Sequence, residues 1–295
     1  MNQSKSYPKV LSIAGSDSSG GAGIQADLKT FSALGVYGAT AITAITAQNT
    51  LGVNSQFALE PQMVYDQIAA VMDDIEPSVV KIGMLSNTAI VEAVAKALHD
   101  YRPSFIVLDP VIVSSTGHRL LSIEAQETIK EKLIPIADLL TPNIPEMKAL
   151  TDSSLSSLEE KKEAAQQLFN LGAKAILLKG GHEEGEVKTD VLFFNKSTSR
   201  DASMTQNDKQ DVVDTSIKML LLSSPTIETN NTHGTGCTLS SAIAAFIARG
   251  LSLEDAISEA KSYVTEAIRA GADINIGKGI GPVNHAKKKK KMIVL

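Results

Sequence analysis

Short apolar runs, closed by polar clusters and alternating with helix-period stretches, limit what this chain can fold into. Strands are read at Lys9–Ala14, Gly38–Ala47, Val79–Ile82, Phe105–Leu108, Ala137–Leu140 and Ala175–Leu178. A run of four apolar residues leaves no polar side for water, so such strands are buried on both faces. Between them lie helical patterns at Ile24–Leu34, Pro61–Asp73 and Ile123–Leu133, a stripe of Ile90, Val94, Ala97 and Leu98 capped by Ser86 or Asn87, and another through Ala164, Ala165, Leu168 and Phe169. Strand and helix alternating over short connections give an α/β fold with a mainly parallel sheet and helices on both faces. Beyond Asp190 the pattern changes. Val191–Phe194, Ile217–Leu222 and Thr226–Thr229 read as further strands, residues 195–215 as an exposed polar loop, and Leu253–Ala270 as the last helical stretch. Nothing marks a domain boundary, so residues 1–295 read as one domain with a polar tail from about 286 and a solvated lysine run at Lys287–Lys291.

Composition excludes several classes. With 43% hydrophobic and 21% charged residues the chain is of the soluble globular kind. A net charge of -5 argues against nucleic acid as the main partner. A single cysteine excludes an intrachain disulfide framework and fits a reducing compartment. The polar start MNQSKSYPK lacks the apolar core of a signal peptide, and no apolar run is long enough to span a bilayer. A cytoplasmic protein without a membrane partner is expected.

Thr232-His233-Gly234-Thr235-Gly236-Cys237 runs directly into an apolar helix. Two glycines there let the backbone approach a ligand, and the helix start offers free amides and positive potential to an anion, above all a phosphate. Cys237, in the first turn, is expected to lose its proton more readily than a free thiol. The plainer alternative is a glycine-rich turn that merely caps a core helix. Near the N-terminus, Gly15 to Gly23 forms a small-residue loop between strand and helix, but its glycine spacing does not fit G-x-G-x-x-G and no acidic strand end follows at the dinucleotide-binding distance. G-x-x-x-x-G-K-[ST] and the H-R-D kinase set are absent as well.

In a parallel sheet the residues that follow the strands share one edge, where ligands bind. That edge gathers Asp17, Gln48, Met84, Asp109, Asn143, Glu146 and Lys179, and the glycine-rich helix start adds Cys237. Asp109 and Glu146 offer the hard oxygens that Mg²⁺ takes, Lys179 a cation, and the Gly234–Cys237 amides an anion hole. Phosphoryl transfer is catalysed chiefly by such placed charge.

The segments IAGSDSSGGAGIQADLKTFSALGVYG, ITAQNTLGV, KIGML, LDPV, LTPNIPE, LLKGGH, THGTGCTLSSAIAA and GKGIGPVNH, in this order, resemble the hydroxymethylpyrimidine/phosphomethylpyrimidine kinases. That family is the thiamine branch of the ribokinase-like superfamily, which also holds the pyridoxal kinases. The resemblance implies a ribokinase-like fold, ATP as co-substrate with Mg²⁺, and an aminopyrimidine alcohol and its phosphate as acceptors. It leaves open a monovalent cation, and implies a homodimer. Gln48 matches the residue whose amide reads the pyrimidine, and Gly15, Asp27, Met84 and Val111 match the lining of that pocket. Asp27 reads equally as an early-helix charge favoured by the dipole. Asp109 and Glu146 match the metal side, and Thr141, Asn143, Lys179, Thr232, His233 and Thr235 the nucleotide side. Cys237, with Gly234, Gly236 and Lys179, matches the catalytic group and would deprotonate or position the hydroxymethyl. One departure concerns Ser114-Ser115-Thr116-Gly117, which stands where many relatives carry Ala-Lys-Ser-Gly, with His118 or Arg119 as the nearest substitute cation. The 195–215 loop is also longer than the family pattern. The rival readings are a pyridoxal kinase and a non-catalytic pyrimidine sensor.

Overall fold

The computed structural model describes residues 6–113, 120–181, 185–195 and 217–286. The expected polar loop past Asn195, the stretch from Ser114 to Arg119 and the lysine run lie outside the described residues.

Among the described residues nine strands form one sheet: β1 (Lys9–Asp17), β2 (Tyr37–Asn49), β3 (Gly52–Ala58), β4 (Val79–Ile82), β5 (Phe105–Leu108), β6 (Leu139–Leu140), β7 (Ala175–Leu178), β8 (Val187–Asn195) and β9 (Ile217–Pro225). Their order is β3-β2-β1-β4-β5-β6-β7-β8-β9. The stretch from β2 to β7 is parallel, while β3 at one edge and β8 and β9 at the other are antiparallel. The helices are α1 (Gly23–Ala33), α2 (Pro61–Asp74), α3 (Thr88–Tyr101), α4 (Ile123–Lys132), α5 (Ile144–Thr151), α6 (Leu158–Asn170), α7 (Thr235–Ala248) and α8 (Leu253–Gly271).

The apolar runs feed two cores, as continuous hydrophobic strands must. Ile106, Leu108, Ile176 and Leu178 pack with α2 to α6. Val107, Ala175 and Leu177 point the other way, against α1, α7 and α8. The α3 stripe of Ile90, Val94, Ala97 and Leu98 is fully on the first face. Asn87 is the cap of that helix, its side chain accepting from the Ile90 amide.

Four expectations need correction. Strand β3 went unforeseen because its residues are mostly exposed and carry little apolar alternation. It pairs as a hairpin partner with β2, so burial was not needed to place it. Helix α5 was also missed: a capping box starts it, Asn143 accepting from the Glu146 amide and Glu146 from the Asn143 amide, both at 2.8 Å. Thr226–Thr229 is not a strand, since β9 ends at Pro225, which cannot donate to a ladder. Finally, β1 runs on through Gly15 to Asp17, past a register shift between Ala14 and Ser16.

The C-terminal GKGIGPVNH segment packs beneath the start of α7. The His233 amide donates to Gly281, the Val283 amide to His233, and the Ile280 amide to Thr50 at the tip of the β2–β3 hairpin. His285 is buried and its Nε2 lies 2.9 Å from the Thr238 hydroxyl. Burial, with Lys29 and His233 adding to it, lowers its pKa to about 4 from the ordinary 6.5. Between those two values the unfolded chain holds a proton that the folded chain refuses, so stability falls as pH drops. Denaturant melts at pH 7, 5.5 and 4 should show a loss on the order of 3 kcal/mol from this group, and His285→Gln should flatten that slope.

Candidate active site

Three parallel strands deliver the charged centre. β5 ends just before Asp109, β6 runs into Thr141 and the Asn143 cap, and β7 ends before Lys179, whose amide donates to Pro142. The Lys179 ammonium lies 2.8 Å from Asp109 Oδ1 and 3.6 Å from Glu146 Oε2. Asp109 also accepts from the Thr141 hydroxyl at 3.0 Å and from Ser240 of α7 at 3.1 Å. Burial opposes ionisation of Asp109, but Lys179 and Lys81 with these donors hold its pKa below the usual value. Burial acts on Glu146 too, and neighbouring Asp109 adds to it, so its pKa rises to about 7 despite Lys179.

Helix α7 begins where this cluster opens. Gly234, at φ 80°, is its N-cap, and a Cβ there would lie 1.8 Å from the Gly21 carbonyl, so only glycine fits. The first helical hydrogen bond is Thr238 N–H to Gly234, which leaves the Gly236 and Cys237 amides ahead of it. A Cβ at Gly236 would sit 3.5 Å from Lys179 Nζ and 3.8 Å from Asp109 Oδ2, so these amides adjoin the charged centre.

Cys237 does not behave as its helix position suggests. Burial, joined by Asp27 and Asp109, raises the thiol pKa to about 11, against the opposing effects of Lys81 and an amide hydrogen bond from Gly23. The first-turn dipole is outweighed by lost solvation and two carboxylates. In this state Cys237 is a neutral thiol.

Asp27, expected in the substrate pocket, is wholly buried instead. Its carboxylate lies 2.9 and 3.0 Å from Lys81 Nζ and accepts from Ser12 and Ser241 at 2.5 and 2.6 Å. Thr141, expected on the nucleotide side, is likewise fully buried and holds Asp109. Asn143 spends its side-chain oxygen on the α5 cap. Thr232 is exposed, and the Thr235 hydroxyl turns back to the Thr232 carbonyl. The His233 ring turns to Asp17 and Gln48: its Nε2 lies 2.9 Å from Asp17 Oδ2 and 3.3 Å from the Gln48 amide.

Of the remaining acceptor-side residues, Gly15, Met84 and Val111 come together. Met84 packs with Ala44 and Leu120, with Val53 and Val111 alongside. A Cβ at Gly15 would lie 2.9 Å from the Met84 sulfur, so the glycine makes room for the thioether. Gln48 follows a register shift between β2 and β3 at Ala47/Gln48. Bulges of this kind re-aim a side chain, and the half-buried Gln48 side chain meets Thr46 and His233. Among the described residues no group of three or more His, Cys, Asp or Glu side chains converges on a metal position. None of the described helices is long and apolar enough to cross a membrane.

Lys81, Ser12, Ser240 and Ser241 are the site-adjacent residues that sequence reasoning missed. One signal was available: a lysine inside the buried run VVKI demands a buried counter-charge.

The sequence profile of the phosphomethylpyrimidine kinases matches residues 17–284. The chain belongs to the phosphomethylpyrimidine kinase family. It is 44% identical over 277 residues to the hydroxymethylpyrimidine/phosphomethylpyrimidine kinase of Escherichia coli, covering 94% of this chain and 96% of that one. It is also 44% identical over 286 residues to a thiamine biosynthesis bifunctional protein of Geobacter sulfurreducens, 96% of this chain but 54% of the relative's length. In structure it is similar to an ADP complex of Bacillus subtilis pyridoxal kinase, with TM-score 0.81, 34% identity, and 95% of this chain and 98% of that one covered. The family sequence and this neighbour agree on a ribokinase-like α/β fold for the chain.

Proposed function

We propose that this chain transfers the γ-phosphoryl group of ATP to the hydroxymethyl of 4-amino-5-hydroxymethyl-2-methylpyrimidine, and then phosphorylates the monophosphate to the diphosphate. One observation carries the reading. The Lys179–Asp109–Glu146 cluster meets the free amides of α7 on the same sheet edge as Gln48 and Met84. A phosphoryl donor and a polar aromatic acceptor would therefore lie side by side. Family membership and 44% identity to a kinase named for both steps support the same acceptor, and the ADP complex of a 34% identical neighbour supports ATP as donor.

The residues divide the work. The Gly236 and Cys237 amides offer hydrogen bonds to the transferring oxygens as charge spreads over them, and Lys179 adds a positive charge beside them. Thr141 and Ser240 fix Asp109 so that it does not follow the substrate. Two buried carboxylates facing one ammonium suit a cation site of the Mg²⁺ kind, which needs only one or two carboxylates besides the nucleotide phosphates. Asp109 and Glu146 would hold that ion, which when bound neutralises charge on the β- and γ-phosphates. Cys237, being a neutral thiol, positions the acceptor hydroxyl rather than standing ready as a base. Gln48 presents a donor and an acceptor to the pyrimidine, while Met84 and Val111 give its ring an apolar floor.

The test is ADP release from Mg-ATP with hydroxymethylpyrimidine, its monophosphate, pyridoxal or no acceptor. Preference for both pyrimidines is the expected result. Preference for pyridoxal would overturn the acceptor assignment, and silence with every acceptor in protein that still binds the pyrimidine would favour a sensor.

A further inference from the structure

The GKGIGPVNH segment has no part in the mechanism above, yet three of its amides converge on one residue. The Lys278 and Gly279 amides both donate to the Thr50 hydroxyl at 3.1 Å, and the Ile280 amide donates to the Thr50 carbonyl at 2.9 Å. Two glycines make this clasp possible. A Cβ at Gly279 would lie 2.1 Å from the Thr50 carbonyl oxygen, and one at Gly277 would lie 2.2 Å from its hydroxyl. Gly277 also stands at φ 75°, a conformation that favours glycine, whereas at Gly279 space alone excludes a side chain.

Thr50 opens the turn between β2 and β3, two residues past Gln48. The β1–β2 pairing ends at Asp17 and Thr46, so among the described residues the outer part of β2 has only β3 as a strand partner. Gln48 stands on that overhang, just past the register shift. A lone two-stranded hairpin is marginally stable at best, so the place of Gln48 depends on what ties the overhang down. Two ties are present. The Ser18 hydroxyl donates to the Gln48 carbonyl at 2.8 Å and accepts from the Gln48 backbone amide at 2.9 Å. The clasp on Thr50 holds the tip.

The far side of the clasp is anchored beside the phosphoryl centre. The His233 amide donates to Gly281 and the Val283 amide to His233, directly ahead of the Gly234 cap of α7. From the same turn the Asn231 amide group donates to the Gly271 and Ile274 carbonyls, both at 2.7 Å, which fixes the chain where it leaves α8. The hairpin tip is thus tied, through residues 278–283, to the turn that carries the α7 amides.

We propose that Thr50 is a positioning residue for the acceptor site: by gripping residues 278–280 it holds Gln48 at a set place relative to the α7 amides. Without the grip the overhang is free to move, while Lys179, Asp109 and Glu146 keep their own supports on β5 to β7. The proposal rests on Gln48 reading the acceptor, as argued above. A contact to the ring, away from the reacting oxygen, is made equally in the ground and transition states. Its loss therefore raises the acceptor KM and spares kcat.

The test measures kcat and the separate KM values for hydroxymethylpyrimidine and ATP in Thr50→Val, Thr50→Ser, Gly279→Ala, Gln48→Ala and Gln48→Ala/Thr50→Val. Valine keeps the shape but removes the oxygen that accepts two amides, whereas serine keeps that oxygen. Thr50→Val should raise the pyrimidine KM about tenfold, as expected when two neutral hydrogen bonds are lost. Its ATP KM and kcat should stay within about twofold, and Thr50→Ser should leave all three values within that range. Gly279→Ala pushes the segment off the Thr50 carbonyl and should repeat the Thr50→Val pattern with Thr50 intact. In the Gln48→Ala background Thr50→Val should add little, because the residue it positions is gone. Should Thr50→Val fail to fold, Thr50→Ser and Gly279→Ala decide the question alone. An ATP KM that rises in step with the pyrimidine KM, a serine variant as impaired as valine, or losses that multiply in the double variant would each overturn the proposal. An unchanged pyrimidine KM in Gln48→Ala would overturn the reading of Gln48, and the positioning role with it. A raised KM there, beside unchanged values in Thr50→Val and Gly279→Ala, would overturn the clasp alone.

Discussion

Lys81→Met should cost the fold about 3–5 kcal/mol, the loss expected when one partner of a buried ion pair is removed. Lys81 and Asp27 are both 0% exposed, so no water can take over when the ammonium goes. Asp27 would keep only the Ser12 and Ser241 hydroxyls, and a carboxylate in that setting is undercompensated. Burial would lower the Lys81 pKa, but Asp27, Cys237 and Asp109 together raise it, so the charge is present throughout the ordinary pH range. Urea titration of the variant should therefore show an earlier midpoint at an unchanged slope. Lys81→Met/Asp27→Leu should recover much of the loss, since an apolar pair of similar volume leaves no orphan charge. A single-variant loss below 1 kcal/mol would contradict the pairing. Activity should also fall in the single variant, because the same ammonium acts on Cys237 and Asp109.

Lys179→Ala should lower kcat by about 10²–10³, in line with the loss of one preorganised charge at the transferring group. Lys179 lies beside the α7 amides, and its side chain is 12% exposed. Burial works against its charge, yet Asp109 and Glu146 raise its pKa, so it stays protonated across the working range. Without it two buried carboxylates face each other, and Glu146, already at about 7, moves further up. The variant should thus also shift the acidic limb of the rate profile upward. Steady-state rates from pH 6 to 9 check both effects, and a loss of less than tenfold would remove Lys179 from the transferring centre.

How much of this was legible from the residues alone depended on what each residue had to satisfy. Continuous apolar runs fix strands buried on both faces, so β4, β5 and β7 stand where they were read. β3 was invisible because its constraint is the pairing with β2 across Thr50 and Leu51, not burial. The sheet edge was legible, since topology alone brings Asp109, Lys179 and the α7 amides together. The layer beneath it was not. Asp27, Thr141 and His233 share motifs with ligand-facing residues, and spacing does not tell which side chains turn inward. Lys81 sits in a strand whose apolar neighbours hid it. The acidity expected of Cys237 failed for a related reason: the helix start is visible in sequence, but the loss of solvent around the sulfur is a tertiary fact.

The most direct measurement of the central claim follows the phosphoryl group itself. Purified protein is incubated with ATP labelled at the γ-phosphate and hydroxymethylpyrimidine, and the products are separated over time. The account predicts label first in the pyrimidine monophosphate and then in the diphosphate, with ADP rising in step. Label found only in inorganic phosphate, or transferred to pyridoxal while the pyrimidine stays unlabelled, would contradict it.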